Sequence, residues 1–248
     1  MTRWSDLATR NRQPEVMDQP DLDRESHQAA LRSLARINFW SGSAGVLWPP
    51  LRRLAQRLGV KSLSVLDLAS GAGDVPLALE AKARRAGLEL RITGCDVSPC
   101  AIDQARETAA RSGSNVRFEQ RDVLSQPPTE QYDVVTCSLF LHHLDDTEAV
   151  QLLRIMGASA QHLLLVNDLE RSAVGYYLVK LATRLLSRSK VVWIDGPRSV
   201  EGAYSLAEMR ALAVQAGLES AEVERRHPCR MLLSWSPGSQ RKRETDSA

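Results

Sequence analysis

Between residues 64 and 168, five short apolar runs alternate with stretches of helical periodicity, and that alternation leaves few folds open. The runs are SVLDL (64–68), LRITGCDV (90–97), VRFEQRDV (116–123), YDVVTCSLFL (132–141) and HLLLVND (162–168). Between them lie PLALEAKARRA, PCAIDQARETAARSG and the stretch 146–156, all of helical character. The second of these has proline near its start and Gly113 past its end, the asymmetry of helix termini. Strands separated by helices must run parallel, joined by right-handed crossovers with helices on both faces. The fourth run is apolar almost throughout, as a strand buried on both faces should be. AEVERR (221–226) and CRMLLSW (229–235) add an antiparallel pair. The expectation is a doubly wound, Rossmann-like α/β fold on a mostly parallel sheet of seven strands.

The flanks differ. Residues 1–20 are polar and read as an extended arm with Pro14 and Pro20. A helix is expected from Asp21 as its cap, with Leu22, Ala30, Leu31, Leu34 and Ile37 on one face. A second follows Pro49-Pro50, carries Leu51, Leu54, Ala55 and Leu58 on one side, and stops at Gly59. Beyond the fifth strand, a helix over about 173–186, a loop holding Gly196-Pro197 and a helix over 205–216 are predicted. This divides the chain into an arm and helical cap (1–58), a main domain (59–236) and a disordered tail (237–248). An insertion over about 172–204 would help build a substrate pocket.

Composition narrows the partners. With 32 basic and 30 acidic residues the net charge is +2, and the pI is near 8.4, which gives no footprint for nucleic acid. The RKR at 241–243 reads as a solubilising tail. The start, MTRWSDLATRNRQPEV, lacks an apolar secretory core, and no run nears the roughly 20 apolar residues that span a bilayer. A cytoplasmic protein without stable membrane insertion is expected. The four cysteines show no C-x-x-C spacing; Cys95 and Cys137 lie in apolar runs and read as buried thiols. No metal cluster is evident, so metal independence is expected.

Ligands of open α/β sheets bind beyond the carboxyl ends of the strands. Those ends carry Asp67-Leu-Ala-Ser-Gly71-Ala-Gly73-Asp74, then Asp96, Asp122, His142-His143 and Asp168. A glycine pair alone is weak evidence. Asp96, however, lies 96 − 73 = 23 residues past the second glycine, where a carboxylate can accept both hydroxyls of a ribose. A nicotinamide dinucleotide fits poorly: Pro76 stands where a third glycine would fall, and Asp67 would repel a pyrophosphate. A cofactor bearing an ammonium and a sulfonium would gain from that acid, which favours S-adenosylmethionine.

DLASGAGD resembles the glycine-rich motif of class I methyltransferases, GCDVSPCAI their ribose motif, QRDVL their adenine motif, and YDVVTCSLFLHHLDD the segment around their fourth strand. The resemblance spans about residues 60–170. It implies that Asp67, Ala69, Gly71 and Gly73 hold the methionine part, Asp96 and Val97 the ribose, and Asp122 and Val123 the adenine, with Ser138 nearby. RQPEVMDQPDLD, DGPRSVEGAYS and ERRHPCRMLLSW are similar to bacterial methyltransferases found beside type III polyketide synthases, which are akin to the ubiquinone and menaquinone methyltransferases. That group often has histidine where Ile194 stands, so no base is carried over from that loop.

Methyl transfer needs alignment and exclusion of water more than activation. A phenol, with a pKa of about 10, would still need a base near neutral pH. His142 and His143 are the candidates, with Asp168 to orient one of them; a generic loop pair and a helix cap are the plainer readings. His27 on the first helix and a lid of Arg12, Glu15 and Asp18 are weaker candidates, and Asp195 reads as a structural or solvent-facing loop acid. Aromatics cluster outside the sheet, and Trp40, Tyr176, Trp193 and Tyr204 are assigned to a pocket for a small aromatic substrate. The expected reaction is O-methylation of a phenolic or polyketide-type product. The alternatives are C-methylation of a quinone precursor and a cofactor-binding protein without catalysis.

Overall fold

The computed structural model describes residues 7–19, 23–40 and 42–237. Helices α1 (Arg24–Trp40) and α2 (Ser43–Leu58) precede β1 (Ser62–Leu68), α3 (Asp74–Arg85), β2 (Glu89–Asp96), α4 (Pro99–Ser112), β3 (Arg117–Gln120) and β4 (Tyr132–Ser138). Then follow α5 (Asp146–Ser159), β5 (Ala160–Leu169), α6 (Ala173–Leu186), α7 (Lys190–Gly202), α8 (Leu206–Gln215), β6 (Glu222–Arg226) and β7 (Arg230–Trp235). The sheet has seven strands in the order β3-β2-β1-β4-β5-β7-β6. The first five run parallel, and β7 lies antiparallel to both β5 and β6, as the sequence led us to expect.

Side chains alternate between the sheet's faces, and both faces are covered. Leu66, Leu68, Val135, Cys137, Leu164 and Val166 join the core beneath α5 and α8. Leu63, Val65, Val134, Leu163 and Leu165 join the core beneath α2 and α3. Strand order reverses between β1 and β4, which opens a crevice above their carboxyl ends.

Several boundaries depart from expectation. Asp21 lies outside the described residues; Asp23 accepts from Ser26 N at 2.8 Å in the first turn of α1. α2 starts two turns before Pro49-Pro50, which lie inside it, because Ala44, Leu47, Leu51, Leu54 and Ala55 together bury a face whose packing outweighs the lost backbone bonds. Leu58, expected on that face, is 38% exposed. β3 ends at Gln120 and β4 at Ser138, leaving Asp122 and Phe140 beyond the sheet.

The expected loop around Gly196-Pro197 is helix α7. Proline there removes one donor. Gly196 in turn lets α7 meet α6 so closely that an added Cβ would stand 2.5 Å from Thr183 Cγ2. Helix packing overrides two local breakers. The expected tail lies, but for Pro237, outside the described residues.

Candidate active site

β1 delivers the chain into a loop that turns through left-handed conformations at Ala69 (φ 54°), Gly71 (φ 53°) and Gly73 (φ 79°). For Ala69 this is an uncommon backbone, of the kind that clusters at ligand sites. Gly71 N donates to Asp96 Oδ2 at 2.8 Å and Ser98 N to Asp96 Oδ1 at 2.9 Å. Asp96 is thereby fixed at the end of β2. Asp67, buried below the loop, accepts from Thr136 Oγ1 at 2.6 Å. Burial pushes its carboxyl up to about 7, with Thr136 and Ser70 pulling the other way. Past β3, Asp122 accepts from Leu124 N at 3.1 Å and from Ser125 Oγ at 2.8 Å.

Past β4, Leu139 also takes a positive φ of 57°, and a 3₁₀ turn over Leu141–His143 presents both histidines. His142 is buried, with Nδ1 2.7 Å from Asp168 Oδ1, while its backbone N donates to Asp168 Oδ2 at 3.2 Å. Burial opposes charge on Asp168, yet His142 and the Leu169 amide hold the carboxyl below its ordinary range. An ionised Asp168 only accepts, so Nδ1 carries a proton in this pair, and in the neutral imidazole Nε2 is the nitrogen with the lone pair. Ring centroids of His142 and His143 are 4.3 Å apart.

The N-terminal arm closes over this turn. Arg10 donates to Leu144 O and Gly202 O, each at 2.6 Å, and Arg12 to His143 O at 2.8 Å. Val16 N and Met17 N donate to Asp195 Oδ1 and Oδ2 at 2.8 and 3.0 Å. Asp195 is thus a buried clamp, not a solvent-facing loop acid. Burial pushes its carboxyl up although both amides pull it down. The arm delivers buried Glu15, whose Oε1 lies 3.8 Å from His142 Nε2 and 3.9 Å from His143 Nε2 and accepts from Ser199 Oγ at 2.5 Å.

The ligating atoms of Glu15, His142 and His143 lie within 4.8 Å of one another, a grouping that could hold a metal ion. No spacing in the sequence announced it, because Glu15 comes from a distant segment.

These groups line one cavity of about 860 Å³, within the range of small-molecule sites. Asp67, Ala69, Gly71, Asp96, Val97, Asp122, Val123, Ser138, His142 and His143 all border it, as do Glu15 and His27. Gly73 does not: an added Cβ would stand 2.5 Å from Phe118 Cζ, so this glycine serves packing beneath the loop. Asp168 stands behind His142. Ser138 Oγ is buried and borders the cavity without a hydrogen-bond partner.

The expected aromatic wall requires correction. Tyr176, Trp193 and Tyr204 do not border the cavity, and the side chain of Trp40 lies outside the described residues. Trp193 Nε1 donates to Ser187 O at 2.9 Å, and the Tyr204 hydroxyl donates to Leu144 O at 3.2 Å beneath the Arg10 guanidinium. Each ring satisfies its polar atom against nearby backbone, which draws it into the framework. Aliphatic Leu31, Leu34, Ile37, Val179 and Ala182, with Phe140, border the cavity instead. Buried Arg230 on β7 also borders the cavity. Burial lowers it to about 10, against the attraction of Asp168 and Asp74. Its run read as one strand of an antiparallel pair, and nothing in the sequence marked the arginine.

Residues 65–160 match the family described as "Methyltransferase domain". The chain is 34% identical over 114 residues to the demethylmenaquinone methyltransferase of Deinococcus radiodurans, covering 45% of this chain and 46% of that protein. The O-methyltransferase family protein from Burkholderia thailandensis superposes with a TM-score of 0.61 at 17% identity, over 83% of this chain and 57% of that one. Magnesium protoporphyrin IX methyltransferase from Synechocystis PCC 6803 with bound SAM superposes with a TM-score of 0.53 at 15% identity, over 89% and 88% of the two chains. The matched region spans about half the length of the curated relatives. Among the described residues no helix is long and apolar enough to cross a membrane.

Proposed function

We propose that this chain methylates a hydroxyl of a small phenolic or polyketide-type metabolite with S-adenosylmethionine as donor. The residues present fit that cofactor. Asp96 offers two fixed carboxylate oxygens to a ribose diol, and Asp67 offers an acid to an ammonium. Ser138 Oγ, buried and unpartnered, supplies a polar contact. Asp122 and Val123 would flank the adenine, and Arg230 offers a buried cation to a carboxylate. The cofactor supplies a methyl group already activated on a positively charged sulfur.

The observation that carries the reading is the His142–Asp168 pair, 2.7 Å apart, with His142 on the wall of the cavity that the acids and glycines also line. Asp168 holds Nδ1 protonated, so His142 Nε2 accepts the proton of the acceptor hydroxyl as it becomes a phenolate. Glu15, on the Nε2 side, favours the imidazolium that forms. The arm and cap (1–58) and the segment 172–204 supply the acceptor side: Glu15, Leu31, Leu34 and Ile37 from the first, Leu178 and Ala182 from the second. An aliphatic wall suits a flat aromatic ring or an alkyl-bearing one.

The test is turnover on a panel of phenols and pyrones, with binding of S-adenosylhomocysteine measured alongside. We expect His142→Gln to keep cofactor affinity and lose roughly 10²–10⁴ in kcat, the usual share of a general base. Equal kcat in variant and parent would overturn the assignment. Similarity to a demethylmenaquinone methyltransferase favours a second reading, methylation at carbon of a quinone precursor, with His142 removing the ring proton. The mass-labelled product, read by NMR as O-CH₃ or C-CH₃, separates the two. Turnover without added metal is expected; loss on chelation, restored by a divalent ion, would instead assign Glu15, His142 and His143 to a cation. Cofactor binding with no turnover on any acceptor would favour a non-catalytic protein.

A further inference from the structure

Helix α6 leaves an apolar stripe uncovered beside the mouth of the cavity. Val174, Tyr177, Leu178, Leu181 and Leu185 are 63%, 52%, 45%, 55% and 73% exposed. Their spacing of three, one, three and four places them on one side of the helix. Ile194, on the packed neighbour α7, is 46% exposed. Monomeric soluble proteins scatter exposed apolar side chains singly; a continuous stripe marks a surface that something covers.

The charge around the stripe says what. Lys180, Arg184, Arg188 and Lys190 are all exposed, and from Ser172 through Ile194 the sequence contains no acid. Among the described residues none of the four pairs with a carboxylate. Two lie beside aromatic rings instead, Lys180 Nζ 5.7 Å from Tyr176 and the Arg184 guanidinium 5.0 Å from Trp193. An apolar stripe rimmed by lysine and arginine is the pattern of a helix that lies in the interface of an anionic bilayer. Pairing two copies through this face would bring eight cations together with no acid from either copy's segment 172–194 to offset them. At 14 residues α6 extends about 21 Å and would lie along the surface, not across it.

We infer that α6 and the start of α7 form a peripheral docking surface for an anionic lipid bilayer, with the mouth of the cavity at the headgroup layer. Leu178 links the two, being both exposed and part of the cavity wall, and Val179, Ala182 and Thr183 continue that wall inward. An acceptor carrying an alkyl chain could pass from bilayer to cavity along these residues. That last consequence rests on the methyl-transfer reading, whereas docking itself does not.

The test is flotation of the full chain with vesicles of equimolar phosphatidylcholine and phosphatidylglycerol, against vesicles of phosphatidylcholine alone. The chain should float with the anionic vesicles and bind the neutral ones at least about tenfold more weakly, with raised salt weakening the anionic binding. The exposed pairs Leu181→Asp with Leu185→Asp, and Arg184→Glu with Arg188→Glu, should each lower vesicle binding about tenfold or more. Both variants should bind S-adenosylhomocysteine like the parent, so failure of the cofactor reading and failure of docking appear in different measurements. No flotation with either vesicle, or flotation unchanged in both variants, would overturn the inference. So would a dimer, seen by light scattering, that Leu181→Asp with Leu185→Asp dissociates, since a second copy would then be the occupant.

Discussion

Asp67 and Asp96 stand at neighbouring strand ends yet differ in environment, and the difference can be measured. Asp96 accepts from two backbone amides, which fix its carboxylate at the end of β2. Asp96→Ala should weaken S-adenosylhomocysteine binding by roughly 1.5–3 kcal/mol for each charge-assisted hydrogen bond lost; unchanged affinity by calorimetry would remove Asp96 from the site. Asp67 is buried, and its carboxyl is pushed up to about 7. A ligand ammonium beside it favours the ionised form, so binding expels a proton. Affinity should therefore rise with pH up to about 7 and level off above it, falling by at most tenfold per pH unit below. Asp67→Asn should flatten that profile, and a profile equally steep in the variant would show that another group titrates.

At the scale of elements, the join between β1 and α3 depends on a contact that spacing alone does not reveal. Gly73 holds a φ of 79° as the cap of α3, with the Phe118 ring of β3 against the place a Cβ would occupy. Gly73→Ala would combine an unfavourable backbone with a collision against ring carbon at 2.5 Å. A loss of about 1–3 kcal/mol in denaturant unfolding is expected. Gly71→Ala has open space at its Cβ and carries only the backbone strain, so it should cost less stability. Equal losses would mean that Phe118 moves aside freely.

Across the whole molecule, one buried cation ties together the arm, the segment after β5 and α8. Arg171 donates to Leu7 O at 3.1 Å and Ala203 O at 2.7 Å, and meets both carboxylate oxygens of Glu208 at 2.7 and 2.8 Å. Glu208 also closes the capping box of α8 with Ser205. Burial works against its charge, yet Arg171 and Ser205 hold it down at about 2. A carboxyl depressed in the folded state contributes stability above its unfolded pKa and loses it as pH falls through the folded one. The Tm of the parent should exceed that of Glu208→Gln at neutral pH, and the gap should close between about pH 4.5 and 2. A gap independent of pH would mean that shape, not charge, makes the contribution.

The succession of strands and helices along the chain, the glycine loop and the acids at the strand ends were legible in the sequence because each depends on neighbours within a few residues. Period-two burial marks a strand, a positive φ calls for glycine, and a carboxylate ending one strand faces the turn of the next. Helix α7 and the start of α2 were not legible, because packing outweighed the local preferences of Pro197 and Pro49-Pro50. Nor was Arg230, and Glu15, read only as part of a lid, was not legible as a neighbour of the two histidines, because both reach the cavity from segments far from the strand ends that announce it. The aromatic residues showed the opposite failure: composition suggested a pocket wall, while Trp193 and Tyr204 found their partners in the framework. Local chemistry therefore determined the scaffold and the cofactor end of the cavity. Long-range packing alone decided what faces His142 and His143, since side chains distant in sequence meet only where the folded chain brings them together.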